Sequence, residues 1–190
     1  MRVFVAGGSG AIGLPLVQAL LAAEHQVTAL TRSPQEQELL RRLGATPAVA
    51  DALDAAALER AVVAARPTHV IHQLTALPKG GARRASDLAA TNRLRIEGTR
   101  NLLAAAIAAG ARRLIGGSFA LIAEPRQDLP ASARDATGAL QSMESQLLEA
   151  SRAGRLEGIV LRSTMRLLQR LRRWTEACPA RSTRSWMIVG

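Results

Sequence analysis

The chain contains no tyrosine, one lysine (Lys79) and one cysteine (Cys178) among its 190 residues, and its aromatic side chains are only Phe4, Phe119, Trp174 and Trp186. A single cysteine excludes an intrachain disulfide, so a reducing cytoplasm is the expected compartment and Cys178 is read as an incidental thiol. Platforms for stacking bases need aromatic side chains spread over a basic surface, and this chain cannot build one, so nucleic acid is not an expected partner. No apolar run approaches the ~20 residues of a membrane-spanning helix, and Val3 to Ala6 is too short for a signal segment. His25, His69 and His72 lack metal-ligand spacing, so no metal site is expected.

The net charge of +10 is unevenly placed. Residues 1–161 carry 18 basic against 14 acidic side chains, whereas residues 162–190 carry seven arginines against Glu176 alone. The basic excess therefore belongs mostly to the last stretch, not to a binding face of the main body. The length suits one domain with a substantial core.

What is present begins with a short apolar run, Val3-Phe4-Val5, followed by Gly7-Gly8-Ser9-Gly10-Ala11-Ile12-Gly13 and a helical pattern. Apolar residues at Ile12, Leu16, Leu20 and Ala23 predict one buried helix face, with Pro15 tolerated in the first turn. A second strand, 26–30, is followed by Ser33-Pro34-Gln35-Glu36, which predicts a capping box, then by a helix burying Leu39, Leu40 and Leu43 and stopped by Gly44. Further strands are expected at 48–51, 69–74, 113–117 and 156–162. Helices are expected from Asp54 to about 65, from about 85 to 109, and from about 136 to 152, with loops at Pro78-Lys79-Gly80-Gly81 and at 124–134.

This alternation predicts an α/β fold, a doubly wound parallel sheet of strand order 3-2-1-4-5-6 with its ligand crevice between strands one and four. Strand, glycine turn and helix in that order grip a pyrophosphate: Gly7 permits the turn, Gly10 admits the phosphates to the backbone, and Gly13 lets helix and strand approach. Ser9, Ala11 and Ile12 share that turn, where the helix N-terminus offers amide donors. About 20 residues further on, a site for NAD places a carboxylate; this chain has Thr31-Arg32-Ser33, with no acid at that position. A guanidinium suits a ribose 2′-phosphate, so Arg32 favours NADP, with NAD the alternative and a solvated surface arginine the plain structural reading.

Further residues extend the pattern: Val49-Ala50-Asp51, Val70-Ile71-His72-Gln73-Leu74-Thr75-Ala76, Asn92 through Leu102, and Arg113-Leu114-Ile115-Gly116-Gly117-Ser118. With the glycine turn, these make residues 1–162 resemble the NAD-dependent epimerase/dehydratase family of extended or atypical short-chain dehydrogenases/reductases. The resemblance implies a Rossmann domain over 1–162. It implies Asp51 and its neighbour Ala52 near the adenine, Leu74, Thr75 and Ala76 by the nicotinamide-side ribose, and Asn92 as a structural polar residue. The implied activity is hydride transfer on a sugar nucleotide or a small carbonyl or hydroxyl substrate.

The same resemblance implies a serine after the fifth strand, here Ser118, and a Tyr with a Lys four residues later on the next helix. With Glu144 at the acid position of that helix, Ala136 and Leu140 stand where Tyr and Lys would be. A proton-transfer group contributes about 10²–10⁴-fold, so the expectation divides between an impaired enzyme and a non-catalytic dinucleotide-binding or redox-sensing protein. His72 could titrate near neutral pH, or be scaffold on its strand.

After Arg162 the family pattern stops. Residues 163–190 form a basic tail, not a domain, where the family continues into a substrate lobe. We read this as a truncated or frame-shifted family member lacking that lobe. The alternative is a basic amphipathic helix (Leu167, Leu168, Leu171 and Trp174 on one face) for an anionic membrane or a partner groove. The oligomeric state is left open.

Overall fold

In a computed structural model, residues 1–78, 82, 84–119 and 131–163 are described. The expected loop at Lys79-Gly80-Gly81, most of the loop before the sixth helix, Cys178 and the tail beyond Ser163 lie outside the described residues.

Six strands form one parallel sheet in the order β3-β2-β1-β4-β5-β6. They are β1 (Arg2–Ala6), β2 (Gln26–Thr31), β3 (Thr46–Val49), β4 (His69–His72), β5 (Arg113–Phe119) and β6 (Glu157–Ser163). The helices are α1 (Gly13–Ala22), α2 (Glu36–Arg42), α3 (Ala55–Ala65), α4 (Ser86–Arg93), α5 (Thr99–Ala108) and α6 (Ala131–Arg152). The expected doubly wound order is the observed one, and the reversal falls between β1 and β4, which pair at Val3 with His69 through Ala6 with His72.

Both faces of the sheet are covered, which is why β1 is apolar at successive positions instead of alternating. Phe4 and Ala6 enter a core with Val70, Leu114 and the buried sides of α3, α5 and α6. Val3 and Val5 enter the other, with Val17, Leu40 and Ile71.

Several local expectations are corrected. In α1 the buried positions are Gly13, Pro15 and Val17, while Leu16 and Leu20 are partly buried and Ala23 is exposed. The capping box of α2 does not form: the Ser33 hydroxyl bonds Gln35, and the Glu36 carboxylate accepts from Thr31 instead. Only Leu40 of α2 is buried, and Leu39 is exposed. β3 begins two residues earlier than expected, and α6 begins at Ala131. Asp54 caps α3 as the sequence suggests, accepting from the Ala57 amide at 3.0 Å.

The long helix expected over 85–109 is continuous but contains a π turn, Leu94–Gly98, between α4 and α5. At its end the Thr99 hydroxyl donates to the Arg95 carbonyl at 2.6 Å. Such widened turns recur where a helix must present side chains to a site.

Candidate cofactor cleft

The glycine turn is locked by contacts that admit no side chain at two positions. Gly7 has φ +87°, and a Cβ there would stand 2.5 Å from the Gln73 carbonyl oxygen just beyond β4. A Cβ on Gly13 would overlap the Gly7 carbonyl oxygen, so α1 starts against the turn itself. The Gly10 amide donates to that same carbonyl at 3.1 Å. The amides of Ser9, Ala11, Ile12 and Gly13 have no protein acceptor among the described residues. A run of amides at a helix start is the donor set that a pyrophosphate requires, and the chain's own turn fits the group.

Beside the turn lies an open cleft of about 260 Å³ at the carboxyl ends of the strands. Gly7, Ser9 and Gly10 form one wall, Leu30 to Ser33 with Glu36 a second, and Ala50, Ala52, Gln73, Leu74, Thr75 and Leu94 close it. Thus Gly7, Ser9, Gly10, Arg32, Ala52, Leu74 and Thr75 of the expected set share one cavity. The others are placed nearby with different contacts. Ala11 and Ile12 lead into α1, and Gly13 is buried at its start. Asp51 is exposed, with its carboxylate accepting from the Leu53 amide at 2.9 Å. The Ala76 amide donates to the Thr91 hydroxyl at 2.9 Å.

Helix-borne side chains hold the loops of this wall. The Asn101 amide donates to the Ala52 carbonyl at 3.0 Å, tying the loop after β3 to α5. His72 is fully buried at the end of β4. Its Nδ1 accepts from the Leu74 amide at 3.2 Å, and its Nε2 lies 2.8 Å from the Thr99 hydroxyl, whose proton goes to the Arg95 carbonyl. These contacts assign the neutral ring with its proton on Nε2. Burial, aided by the nearby Arg95 charge, lowers its pKa to about 4. The geometry agrees with scaffold and not with titration near neutrality.

Arg32 is exposed on the cleft wall and makes no ion pair among the described residues. The absence of an acid, expected from the residues after β2, is corrected by the fold. Glu36 reaches the same cleft from α2, with its carboxylate 2.7 Å from the Thr31 hydroxyl. The sequence signal is that glutamate itself, whose spacing from Ser33 also fits a capping box.

Ser118 lies off the cleft wall, buried between β5 and α6. Its hydroxyl donates to Glu144 at 2.5 Å, and Arg162 of β6 holds the same carboxylate through Nε at 3.1 Å and Nη2 at 2.6 Å. The Arg162 bond, with help from Ser118, keeps the Glu144 carboxyl below the usual carboxylate range against the opposing effect of burial. Arg95 of the π turn is also buried, with its guanidinium 6.0 Å from the Phe119 ring centre and 3.4 Å from the Asn92 side-chain oxygen. No cluster of three metal-ligating side chains is found among the described residues. None of their helices is long and apolar enough to cross a membrane.

A parallel sheet of this order, with a glycine turn at its reversal and a cleft above the strand ends, defines a Rossmann-type dinucleotide-binding domain. The chain belongs to the NAD dependent epimerase/dehydratase family, whose model matches residues 3–163. It is 50% identical over 126 residues to a 3-diazoavenalumate denitrifying reductase of a Streptomyces species, a match covering 66% of this chain and 40% of that protein. It is similar to the UDP-glucose 4-epimerase of Thermus thermophilus in complex with NAD, at 26% identity and a TM-score of 0.68, over 85% of this chain and 54% of the other. The UDP-glucose 4-epimerase of Brucella ovis in complex with NAD shares the fold at 23% identity and a TM-score of 0.68, over 84% and 50% of the two chains. The chain therefore spans about half the length of these solved structures and less of the curated relative.

Proposed function

We propose that residues 1–162 form a cofactor-binding unit that takes a nicotinamide dinucleotide in the cleft beside the glycine turn, with NADP preferred. The observation that carries this reading is the shared cavity: the turn that fits a pyrophosphate and the exposed Arg32 guanidinium line the same cleft. A guanidinium presents paired donors to phosphate oxygens, and Arg32 makes no ion pair among the described residues to draw it away. Gly7 to Gly13 would hold the pyrophosphate, Ala52 the adenine side, and Leu74 and Thr75 the nicotinamide-side ribose. When bound, the nicotinamide supplies hydride.

The substrate class that fits the family is a sugar nucleotide or a small carbonyl or hydroxyl compound, and the reductase relative favours reduction. The chain's own proton chemistry is poor. Ala136 and Leu140 stand eight and four residues before Glu144 on α6, and Leu140 is buried in the core. Neither can carry a proton, and the Ser118 proton is committed to Glu144. These observations favour the second reading, a dinucleotide-binding protein without turnover, as strongly as family membership favours the first. A lone cysteine fits the reducing cytoplasm as the place of either.

Replacing Arg32 by Ala tests the cofactor choice. Calorimetric titration should show NADPH affinity falling about tenfold with NADH little changed, in keeping with the loss of a charge-assisted phosphate contact. Equal effects on both cofactors would remove the phosphate role.

A further inference from the structure

The hydroxyl of Thr31 is the centre of a small polar cluster on the cleft wall. It accepts from the Ser9 hydroxyl at 3.2 Å and from the Ser33 amide at 3.1 Å, and donates to Glu36 Oε2 at 2.7 Å. A hydroxyl has one proton and two lone pairs, so this set uses all three. Thr31 is itself buried, which fixes the direction of its proton. The Thr31 hydroxyl thus holds the Glu36 carboxylate on the cleft wall that it shares with the glycine turn and Arg32.

This placement puts two opposite charges on one cleft, four residues apart in the chain. Arg32 attracts a 2′-phosphate. A carboxylate repels it and accepts readily from ribose hydroxyls. The residues after β2 supply only the first of these charges; α2 supplies the second, because its first turn lies back over the strand end.

Resting on the reading that this cleft takes a nicotinamide dinucleotide, we infer that Glu36 is a second specificity-determining residue, anchored by Thr31, that favours a free ribose 2′-hydroxyl and limits the NADP preference given by Arg32. The chain is thus built to accept both cofactors with a modest preference, not to exclude one. Removing the carboxylate charge makes it a stricter NADP binder, and removing Arg32 turns it toward NAD.

The test is calorimetric titration of the full chain with NADPH and with NADH, in the wild type, in Glu36→Gln and in Glu38→Gln. Glu38 is an exposed carboxylate on the same helix, paired with Arg41 and Arg42 and absent from the cleft wall. Glu36→Gln should tighten NADPH about three- to tenfold and weaken NADH by a similar factor, the scale of one partly screened charge. Glu38→Gln should leave the ratio unchanged. An unchanged ratio in Glu36→Gln, or an equal shift in both variants, overturns the inference while leaving dinucleotide binding intact. If wild type binds neither cofactor, the underlying reading fails first. Thr31→Val is the second variant: loss of the anchoring proton should shift the ratio in the direction of Glu36→Gln, and a shift toward NADH contradicts the anchor.

Discussion

Ser118 gives its hydroxyl proton to Glu144 across 2.5 Å beneath α6, and Arg162 closes on the same carboxylate from β6. The three residues join the fifth strand, the sixth helix and the sixth strand. Their arrangement holds α6 to the sheet, and it withdraws from the cleft the one hydroxyl that the family resemblance marks for catalysis.

Replacing Ser118 by Ala should accordingly act on stability and not on cofactor binding. A hydrogen bond to a charged acceptor contributes roughly 1.5–3 kcal/mol, so the urea midpoint should fall while the NADPH dissociation constant stays within about twofold. Unchanged stability with weakened cofactor binding would return Ser118 to the site.

Acid should destabilise the fold through His72. Its pKa is lowered from 6.5 to about 4 in the folded chain. Above pH 6.5 the ring is neutral in both states and contributes no pH dependence. Between 6.5 and about 4 the unfolded chain takes up a proton that the folded chain refuses, so stability falls with pH, by roughly 3 kcal/mol over the whole window. Below about 4 this contribution levels off, and the loss from Glu144, whose folded pKa is lowered, continues. In denaturant titrations at pH 7 and 5, His72→Gln should lose much of the wild-type difference; an equal difference in both proteins would exclude His72 as its source.

Arg95 is buried with an amide oxygen and an aromatic ring for company, and no ion pair is found for it among the described residues. Burying a charge without a counter-charge is costly, so an apolar side chain of similar length is tolerated or better. Arg95→Met should melt no lower than wild type. It should also reduce the acid sensitivity that His72 confers, because the Arg95 charge contributes to lowering that pKa. A clear drop in melting temperature would show that the guanidinium holds the π turn.

The sheet order was legible because it follows from local signals: apolar runs too short for helices, each followed by a helix-period segment and a breaker. The glycine turn was legible for the same reason, since its order of strand, glycines and helix is local, although Gly7 also packs against Gln73 just beyond β4. What depended on a choice among competing partners, near or far in the chain, was not. Glu36 has the spacing of a capping box, and nothing local shows that Thr31 outbids Ser33 for its carboxylate. The π turn has no spacing of its own; it is supported by Thr99, which also meets His72, 27 residues away in the chain. Ser118 marks a strand end in sequence, but only the packing of α6 shows which way its hydroxyl turns. Asp51 likewise has a local competitor, the Leu53 amide, for the carboxylate that the resemblance assigns to adenine.

The central claim, that the cleft beside Gly7 to Gly13 takes a nicotinamide dinucleotide, is tested most directly by titrating the full chain with NADPH and NADH in a calorimeter. The account predicts saturable binding of both at one site per chain, NADPH the tighter, with each cofactor displacing the other. Failure of either to bind at millimolar concentration would contradict it.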